Sequence, residues 1–146
     1  MQKPSKAFGA RHGGSVILGL HHLQLAMPEG GEAAARAFYS GVLGLRELDK
    51  PESLRGRGGC WFAGPGVELH LGIETPFAPA LKAHPAFRVA SLAQSVAHLE
   101  AQGITCRRDV DLPAFRRVFV KDPFGNRIEL LELRQPAPTA LRAMSQ

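Results

Sequence analysis

Apolar and polar residues alternate along several short segments of the chain, while two longer segments carry apolar residues at the spacing of a buried helix face. In the first half this pattern predicts a strand at Val16–Met27, a helix at Glu32–Leu43 that stops at Gly44, and a hairpin of 59–63 and 67–73 around the turn Gly64-Pro65-Gly66. The first half therefore begins with a strand and a helix and ends in paired strands.

The second half repeats this order of elements. Its pattern predicts a strand at Ala86–Ala90, a helix at Leu92–Gln102 capped by Ser91, and the strands Arg117–Lys121 and Arg127–Leu133 joined by a structural turn at Asp122–Asn126. One weak strand in each half, near Leu45–Leu48 and Thr105–Asp109, completes the order βαβββ twice. We therefore predict an α+β fold made of two βαβββ modules.

The chain has 146 residues and 45% apolar content, which suits one domain with a real core and not two independent ones. Its two ends are rich in Pro, Gly, Ser and unpaired charge, which is typical of segments that cannot bury enough surface to become ordered. We expect tails at 1–15 and 134–146 and one domain at 16–133, with modules at 16–76 and 82–133.

The net charge of +5 does not lie on the predicted domain. Five basic residues fall before Gly19 or after Leu133, whereas the segment 20–133 holds 13 basic and 13 acidic residues. Within that segment the basic residues form only short pairs such as Arg107–Arg108 and do not interleave with aromatic ones. We therefore expect no nucleic-acid partner.

The two cysteines, Cys60 and Cys106, lie far apart, form no CxxC pair and follow no secretory leader pattern. No apolar run approaches the roughly 20 residues that a membrane-spanning helix needs. We therefore expect a cytoplasmic protein without membrane contact, in which both thiols are inert core or boundary groups.

Two histidines and two glutamates occur at matching places in the two halves. Glu68 lies in the last strand of the first half, 46 residues after His22, and Glu129 lies in the last strand of the second half, 45 residues after His84. The flanking residues match as well, since both glutamates lie between two aliphatic residues. If a pseudo-twofold axis relates the halves, these four side chains meet near that axis.

Strand alternation tests whether the four residues share a face, because neighbouring strand residues point to opposite sides of a sheet. In each strand the apolar residues take one face and leave the His or Glu on the other, as in 67–73, where Glu68 and His70 oppose the apolar set. The apolar face can pack under helices, and the His/Glu face can line a cavity. By the same rule His21 points away from this cavity, and we expect it to be structural.

Imidazoles and carboxylates that converge in a partly dry pocket need a positive charge between them. Nitrogen and oxygen donors without a thiolate suit a divalent metal ion such as Zn, Ni, Mn or Fe(II). Taken alone, each such residue is more often an ordinary polar side chain. The matched spacing and shared face favour a metal site made of His22, Glu68, His84 and Glu129.

Three further residues lie on the same predicted face. His70 competes with Glu68 as a ligand because both point the same way, and Glu68 is preferred because its position matches that of Glu129. We place His70 with Arg88 and Arg127 among the candidate contacts to a small-molecule substrate. The two arginines suit an anionic group, with a wall or surface role as the alternative.

Three segments resemble the vicinal oxygen chelate superfamily, the glyoxalase/bleomycin resistance protein/dioxygenase family. They are Gly-Leu-His-His-Leu-Gln-Leu at 19–25, Phe-Tyr-Ser-Gly-Val-Leu-Gly-Leu at 38–45 and, most specifically, Val-Lys-Asp-Pro-Phe-Gly-Asn-Arg-Ile-Glu-Leu at 120–130. The resemblance covers roughly residues 18–133 and implies two modules that form a cup-shaped mixed sheet around a metal, with helices on the outer face.

By position, His22, His84 and Glu129 match the ligands of fosfomycin-resistance thiol transferases and extradiol dioxygenases, and Glu68 matches the extra ligand of glyoxalase I. The resemblance therefore implies glyoxalase-like lyase or isomerase chemistry on a small oxygen-chelating substrate, with Glu129 or Glu68 moving a proton. The short loop at 49–59 lacks the glutathione-binding elaborations of glyoxalase I.

Two alternatives within the family stay open. One is an extradiol-type Fe(II) dioxygenase with Glu68 outside the metal's ligand set, and the other is a metal-free protein that sequesters a drug-like molecule. Modules of this family pair within one chain or swap between two chains, and many members are dimers. We expect a homodimer.

Overall fold

The computed structural model of the protein describes residues 14–135, so nearly all of the two predicted tails lies outside the described residues. The first module comprises β1 (Leu23–Met27), helix α1 (Glu32–Ala35) with a π-helical continuation (Arg36–Val42), β2 (Arg46–Leu48), a 3-10 helix (Glu52–Arg57), β3 (Cys60–Gly64) and β4 (Val67–Ile73). The second comprises β5 (Ala86–Arg88), helix α2 (Leu92–Ala101), β6 (Arg107–Arg108), β7 (Phe115–Lys121) and β8 (Arg127–Leu133).

Each module forms its own four-stranded mixed sheet, with the strand orders β1-β4-β3-β2 and β5-β8-β7-β6. In both sheets the first strand runs parallel to the last, and the remaining neighbours are antiparallel. The predicted α+β class and the duplicated βαβββ order are therefore confirmed. The first strand of each module is an edge strand in the described part of the chain, and such an edge offers a row of backbone groups to another strand.

The strand predicted at Val16–Met27 is wrong in its first half. Only Leu23–Met27 forms a strand, in a parallel register that pairs Leu23 with Leu69. Because β4 begins at Val67, it has no residues that could pair with the segment 16–20. The four large apolar side chains of that segment are 75–86% exposed, and they are Val16, Ile17, Leu18 and Leu20.

The capping serine and the glycine after the first helix correctly predicted where helices begin and end. The first helix ends before Gly44, whose φ of +74° lies in the left-handed region that favours glycine. Ser91 caps α2, because its hydroxyl accepts a hydrogen bond from the backbone N–H of Gln94 at 3.3 Å. The π-helical turn was not predicted. It places the consecutive residues Phe38 and Tyr39 both in the core.

The two modules share one hydrophobic core, which contains buried residues of both helices and of the apolar faces of both sheets. Polar contacts also join the modules. The phenol of Tyr39 donates to Oδ2 of Asp122 at 2.7 Å, and the side-chain amide of Asn126 donates to the carbonyl of Ala26 at 2.7 Å. The turn Asp122–Asn126 therefore has the structural role that we predicted.

Between residues 14 and 135 no helix has both the length and the apolar character needed to cross a membrane. The two thiols are free in this part of the chain. Burial raises the pKa of both Cys60 and Cys106, which disfavours the nucleophilic thiolate at neutral pH.

Candidate metal and substrate site

Glu68 and His70 lie two residues apart on the polar face of β4, while Leu69 and Leu71 are buried in the core. Nε2 of His70 lies 2.9 Å from Oε1 of Glu68. Because an ionised carboxylate only accepts hydrogen bonds, the imidazole is the donor. This hydrogen bond lowers the pKa of Glu68, so the carboxylate is held both ionised and oriented.

His70 is the middle ring of a three-ring stack that crosses the sheet. The ring of Trp61 on β3 lies 3.9 Å from it at an interplanar angle of 2°, and the ring of His22 lies 4.4 Å away at 19°. As a result His70 is only 5% exposed although it lies on the polar face. We call His22, Glu68 and His70 the first half-site.

The prediction that His21 points away from His22 is wrong. Their rings pack edge to face at 5.2 Å, and their Nδ1 atoms lie 2.9 Å apart. Alternation fails here because neither residue belongs to a strand.

The second half-site consists of His84, which precedes β5, and Glu129 on β8. Nε2 of His84 lies 3.0 Å from Oε2 of Glu129, and Nδ1 of His84 lies 2.9 Å from the carbonyl oxygen of Lys82. A carbonyl can only accept, so Nδ1 carries the imidazole proton. The carboxylate also only accepts, so Nε2 faces it either as a second N–H donor or across a cation that both atoms bind.

Glu129 is 5% exposed, and the second oxygen of its carboxylate, Oε1, is buried without a hydrogen-bond partner in the described part of the chain. Nη1 of Arg117 lies 3.5 Å from this oxygen, at ion-pair distance. Arg117 is itself fixed, because it donates to the carbonyl of Val110 at 3.1 Å and to Asp109 at 3.3 Å. Glu129 thus keeps one free acceptor in a positively charged setting.

Within residues 14–135 the two half-sites do not combine. No three His, Cys, Asp or Glu side chains in this range are grouped closely enough to hold one metal ion. The reason lies in the packing, since both apolar sheet faces contribute to the shared core and the polar faces lie on the opposite sides of their sheets. One copy of the chain therefore presents two separate groups of donors, and the four-ligand set stays a prediction.

The predicted substrate contacts fall on or beside these faces. The guanidinium of Arg127 lies 3.9 Å from the ring centre of Phe119, and this ring also has His84 at 5.1 Å and the guanidinium of Arg117 at 5.3 Å. Arg88 pairs in register with Leu131, two residues beyond Glu129, and is exposed. Neither Arg127 nor Arg88 forms an ion pair within the described residues.

Three neighbours of the predicted ligands were missed, namely Trp61, Arg117 and Phe119. Alternation alone cannot find them, because their importance depends on which residue faces them across the sheet. The register pairs Trp61 with His70 and Phe119 with Glu129. Counting outward from the hairpin turn at Pro65-Gly66 was the signal that could have placed Trp61 beside His70.

The model of the Glyoxalase/Bleomycin resistance protein/Dioxygenase superfamily matches residues 19–130. A crystal structure of a glyoxalase family protein from Bacillus anthracis is 46% identical and has a TM-score of 0.79, over 82% of this chain and 98% of that chain. The chain therefore belongs to the glyoxalase/bleomycin resistance protein/dioxygenase superfamily.

More distant structures share the fold. A glyoxalase/dioxygenase from Nostoc punctiforme is 23% identical with a TM-score of 0.66, over 92% of this chain and 100% of that chain. The fosfomycin resistance protein FosX from Listeria monocytogenes is 16% identical with a TM-score of 0.66, over 81% and 95%. No curated protein matches the sequence at a significant level.

Proposed function

We propose that the protein is a metal-dependent enzyme of the glyoxalase type, which carries out lyase or isomerase chemistry on a small substrate with two neighbouring oxygen atoms. Its ligands to a divalent ion are His22, Glu68, His84 and Glu129. The donor set fits such an ion, because it consists of imidazole nitrogens and carboxylate oxygens without a thiolate.

The geometry of His84 carries this proposal. Its Nδ1 proton is committed to the carbonyl of Lys82, and its Nε2 atom faces the carboxylate of Glu129 at 3.0 Å. A histidine that ligates a metal commonly donates its other ring N–H to a backbone carbonyl in this way. The buried Oε1 of Glu129, which accepts no hydrogen bond from residues 14–135, adds a second acceptor at the same place.

We further propose that a second copy of the chain completes the site, so that the first half-site of one copy meets the second half-site of the other. Two observations support this assembly. Within residues 14–135 the first strand of each module has no strand paired to its outer edge, and the exposed apolar segment 16–20 directly precedes the first half-site in the chain. Exposed apolar residues of this kind are typical of association surfaces.

The ion, when bound, supplies a Lewis acid that withdraws electron density from the substrate oxygens and acidifies the adjacent carbon. The residues of the chain then have separate tasks. Glu129 or Glu68 moves the proton at that carbon, and the hydrogen bond from His70 keeps Glu68 oriented for either role. Arg127 and Arg88 contact the substrate away from the reacting carbon.

One observation favours the dioxygenase alternative. Glu68 already has a hydrogen-bond partner in His70, and its side chain is 31% exposed against 7% for Glu129. If Glu68 keeps that partner, His22, His84 and Glu129 remain as a two-histidine, one-carboxylate set, which is the arrangement of Fe(II) oxygenases. The measurement is oxygen uptake with a catechol as substrate. Uptake that requires Fe(II) and is unchanged in Glu68→Gln favours the dioxygenase over the lyase or isomerase.

Another observation favours the metal-free alternative. Arg117 lies 3.5 Å from Glu129 and supplies part of the positive charge that the carboxylate needs. In that case the polar faces bind a small molecule without a metal.

The test is the metal content of the purified protein after exposure to Zn, Ni, Mn and Fe(II) in turn. We expect stoichiometric binding of at least one ion, and we expect His84→Gln to lower its affinity at least about tenfold, because a direct ligand is lost. His98→Gln, which removes a histidine of α2 outside both half-sites, is the matched control and retains the metal. Absence of bound metal under all four conditions overturns the proposal.

A further inference from the structure

A cleft of about 890 Å³ opens at the end of the second sheet. Its walls are the linker Pro79–Leu81, the segment Gly103–Thr105 after α2, and the turn at Asp122–Gly125 with the adjoining ends of β7 and β8. Its volume lies within the range of about 300–1,000 Å³ that is usual for small-molecule sites. None of the residues predicted as metal ligands lines this cleft.

The cleft carries an excess of positive charge. Four cationic side chains line it, and they are Arg107, Arg108, Lys121 and Arg127. None of the four forms an ion pair with another residue between 14 and 135. The two carboxylates of the lining are already engaged, since Asp109 pairs with Arg117 and Asp122 accepts hydrogen bonds from Tyr39 and Asn126. The cationic groups therefore remain available to a ligand.

Arg127 is the best placed of the four. Its guanidinium lies over the ring of Phe119 at 3.9 Å, and this cation–π contact holds the group without using its N–H donors. A guanidinium with a free edge can bind a carboxylate or phosphate through two parallel hydrogen bonds. Arg107, which pairs in register with Phe119 on the neighbouring strand, adds a second positive charge.

The cleft also has an apolar part. Phe38, Pro79 and Ile104 contribute to its lining, and Leu81 at its mouth is 91% exposed. A lining that combines apolar and cationic side chains suits a ligand with an apolar body and an anionic end. Phe119 connects this cleft to the second half-site, because its ring contacts both Arg127 and His84.

We propose that the cleft binds the anionic group of the substrate, a carboxylate or a phosphate ester attached to an apolar body, and presents the rest of the molecule to the His84–Glu129 pair. The part of this inference that concerns catalysis rests on the proposed function. The binding of the anion does not, because none of the residues that carry it is a predicted metal ligand.

Binding is measured by calorimetry on the metal-stripped full chain at constant ionic strength, with benzoate, phenyl phosphate and inorganic phosphate as probes and benzyl alcohol as the uncharged analogue. We expect an aromatic anion to bind more tightly than inorganic phosphate, and benzyl alcohol not to bind measurably. Arg127→Gln lowers the affinity for the bound anion at least about tenfold, because a charge-assisted contact is lost.

Arg116→Gln is the matched control, because it removes the same charge from β7 outside the cleft. Phe119→Leu removes the ring under Arg127 and weakens anion binding even where the guanidinium is retained. Thermal unfolding verifies that each variant is folded. Equal losses in Arg127→Gln and Arg116→Gln overturn the inference, because they show nonspecific attraction, and so does equal binding of benzyl alcohol and benzoate.

Failures of the two proposals are distinguishable. Metal binding without anion binding overturns the cleft inference and leaves the proposed function standing. Anion binding that depends on Arg127 in a protein that binds no metal supports the cleft as a binding site and overturns the metal-dependent reaction.

Discussion

Nε2 of His84 and Oε2 of Glu129 lie 3.0 Å apart, and they join residues from opposite ends of the second module. His84 lies in the segment before β5, while Glu129 lies near the middle of β8. The parallel register of these two strands, which pairs Ala86 with Glu129, brings them together. This pair is the best-defined part of the candidate site.

Glu129→Gln retains the volume of the side chain and removes its charge. We expect metal affinity to fall at least about tenfold, because an amide is a much poorer ligand than a carboxylate. The free energy of unfolding falls by about 1–3 kcal/mol, since the hydrogen bond with His84 and the ion pair with Arg117 both lose the charge of the carboxylate. Elemental analysis and urea unfolding measure the two effects. Glu100→Gln on the exposed side of α2 is the control, and a metal content equal in both variants would contradict the prediction.

Two variants, each lacking the predicted ligands of one half-site, test whether a second copy completes the metal site. One carries His22→Gln and Glu68→Gln, and the other carries His84→Gln and Glu129→Gln. In a mixed dimer with the half-sites shared between copies, one site is wholly mutated and the other wholly native. Random mixing then restores about one quarter of the wild-type metal content, because half of the dimers are mixed and each holds one native site.

The mixture is prepared by joint refolding, and each variant alone is the control for residual binding. A mixture that binds no more metal than the separate variants contradicts a shared site. Sedimentation of the wild-type chain as a monomer does so as well.

Trp61 gives an optical signal for the first half-site. It is the only tryptophan of the chain, and its ring is stacked on His70, which is stacked on His22. We expect a paramagnetic ion such as Ni²⁺ to quench the emission of Trp61 saturably as it binds. His22→Gln abolishes the quenching and leaves the tryptophan in place. Unchanged emission in a protein with stoichiometric nickel would place the ion away from this half-site.

The buried phenol of Tyr39 makes the stability of the fold depend on alkaline pH. Burial, together with the charge of Asp122 and the hydrogen bond to it, raises the pKa of this phenol above its ordinary value. The folded state therefore keeps the proton above about pH 10, where the phenol of the unfolded chain ionises. The contribution of Tyr39 to the free energy of unfolding is fully present below that pH and is lost as the pH rises further.

Because Tyr39 is the only tyrosine, the ultraviolet absorbance of phenolate during an alkaline titration reports on it alone. We expect the absorbance to rise only when the protein unfolds, as followed by circular dichroism. Tyr39→Phe removes the signal and costs about 1–3 kcal/mol, because Asp122 loses a buried donor. Ionisation of the phenol in a protein that remains folded would disprove the prediction.

The faces of the strands could be predicted from the sequence because alternation is a local property. In β4 the apolar residues alone indicated that Glu68 and His70 lie opposite the core, and the burial of Leu69 and Leu71 agrees with this. The same rule failed at Val16 and at His21, since alternation does not show whether a neighbouring strand is available. Strand pairing depends on residues far apart in the chain, and the pairing of β1 with β4 cannot extend beyond the first residue of β4.

The relation between the two half-sites could not be predicted, for a similar reason. Matched spacing indicated that His22 and Glu68 correspond to His84 and Glu129, but it did not show how one module packs on the other. That packing depends on buried contacts between residues far apart in the chain, such as the hydrogen bond of Tyr39 to Asp122. Repetition in a sequence identifies equivalent positions without giving their separation in space.

The hydrogen bonds of the turn Asp122–Asn126 have a consequence for how the duplicated chain can evolve and be engineered. The first module supplies the phenol of Tyr39 to this turn, and the turn supplies the side-chain amide of Asn126 to the carbonyl of Ala26 in β1. Neither repeat is therefore self-sufficient, and a fragment severed at the linker would carry an uncovered apolar surface with unsatisfied polar groups. When modules from different homologues are recombined, the contacting residues of both modules, Tyr39 and Ala26 with Asp122 and Asn126, must be exchanged together.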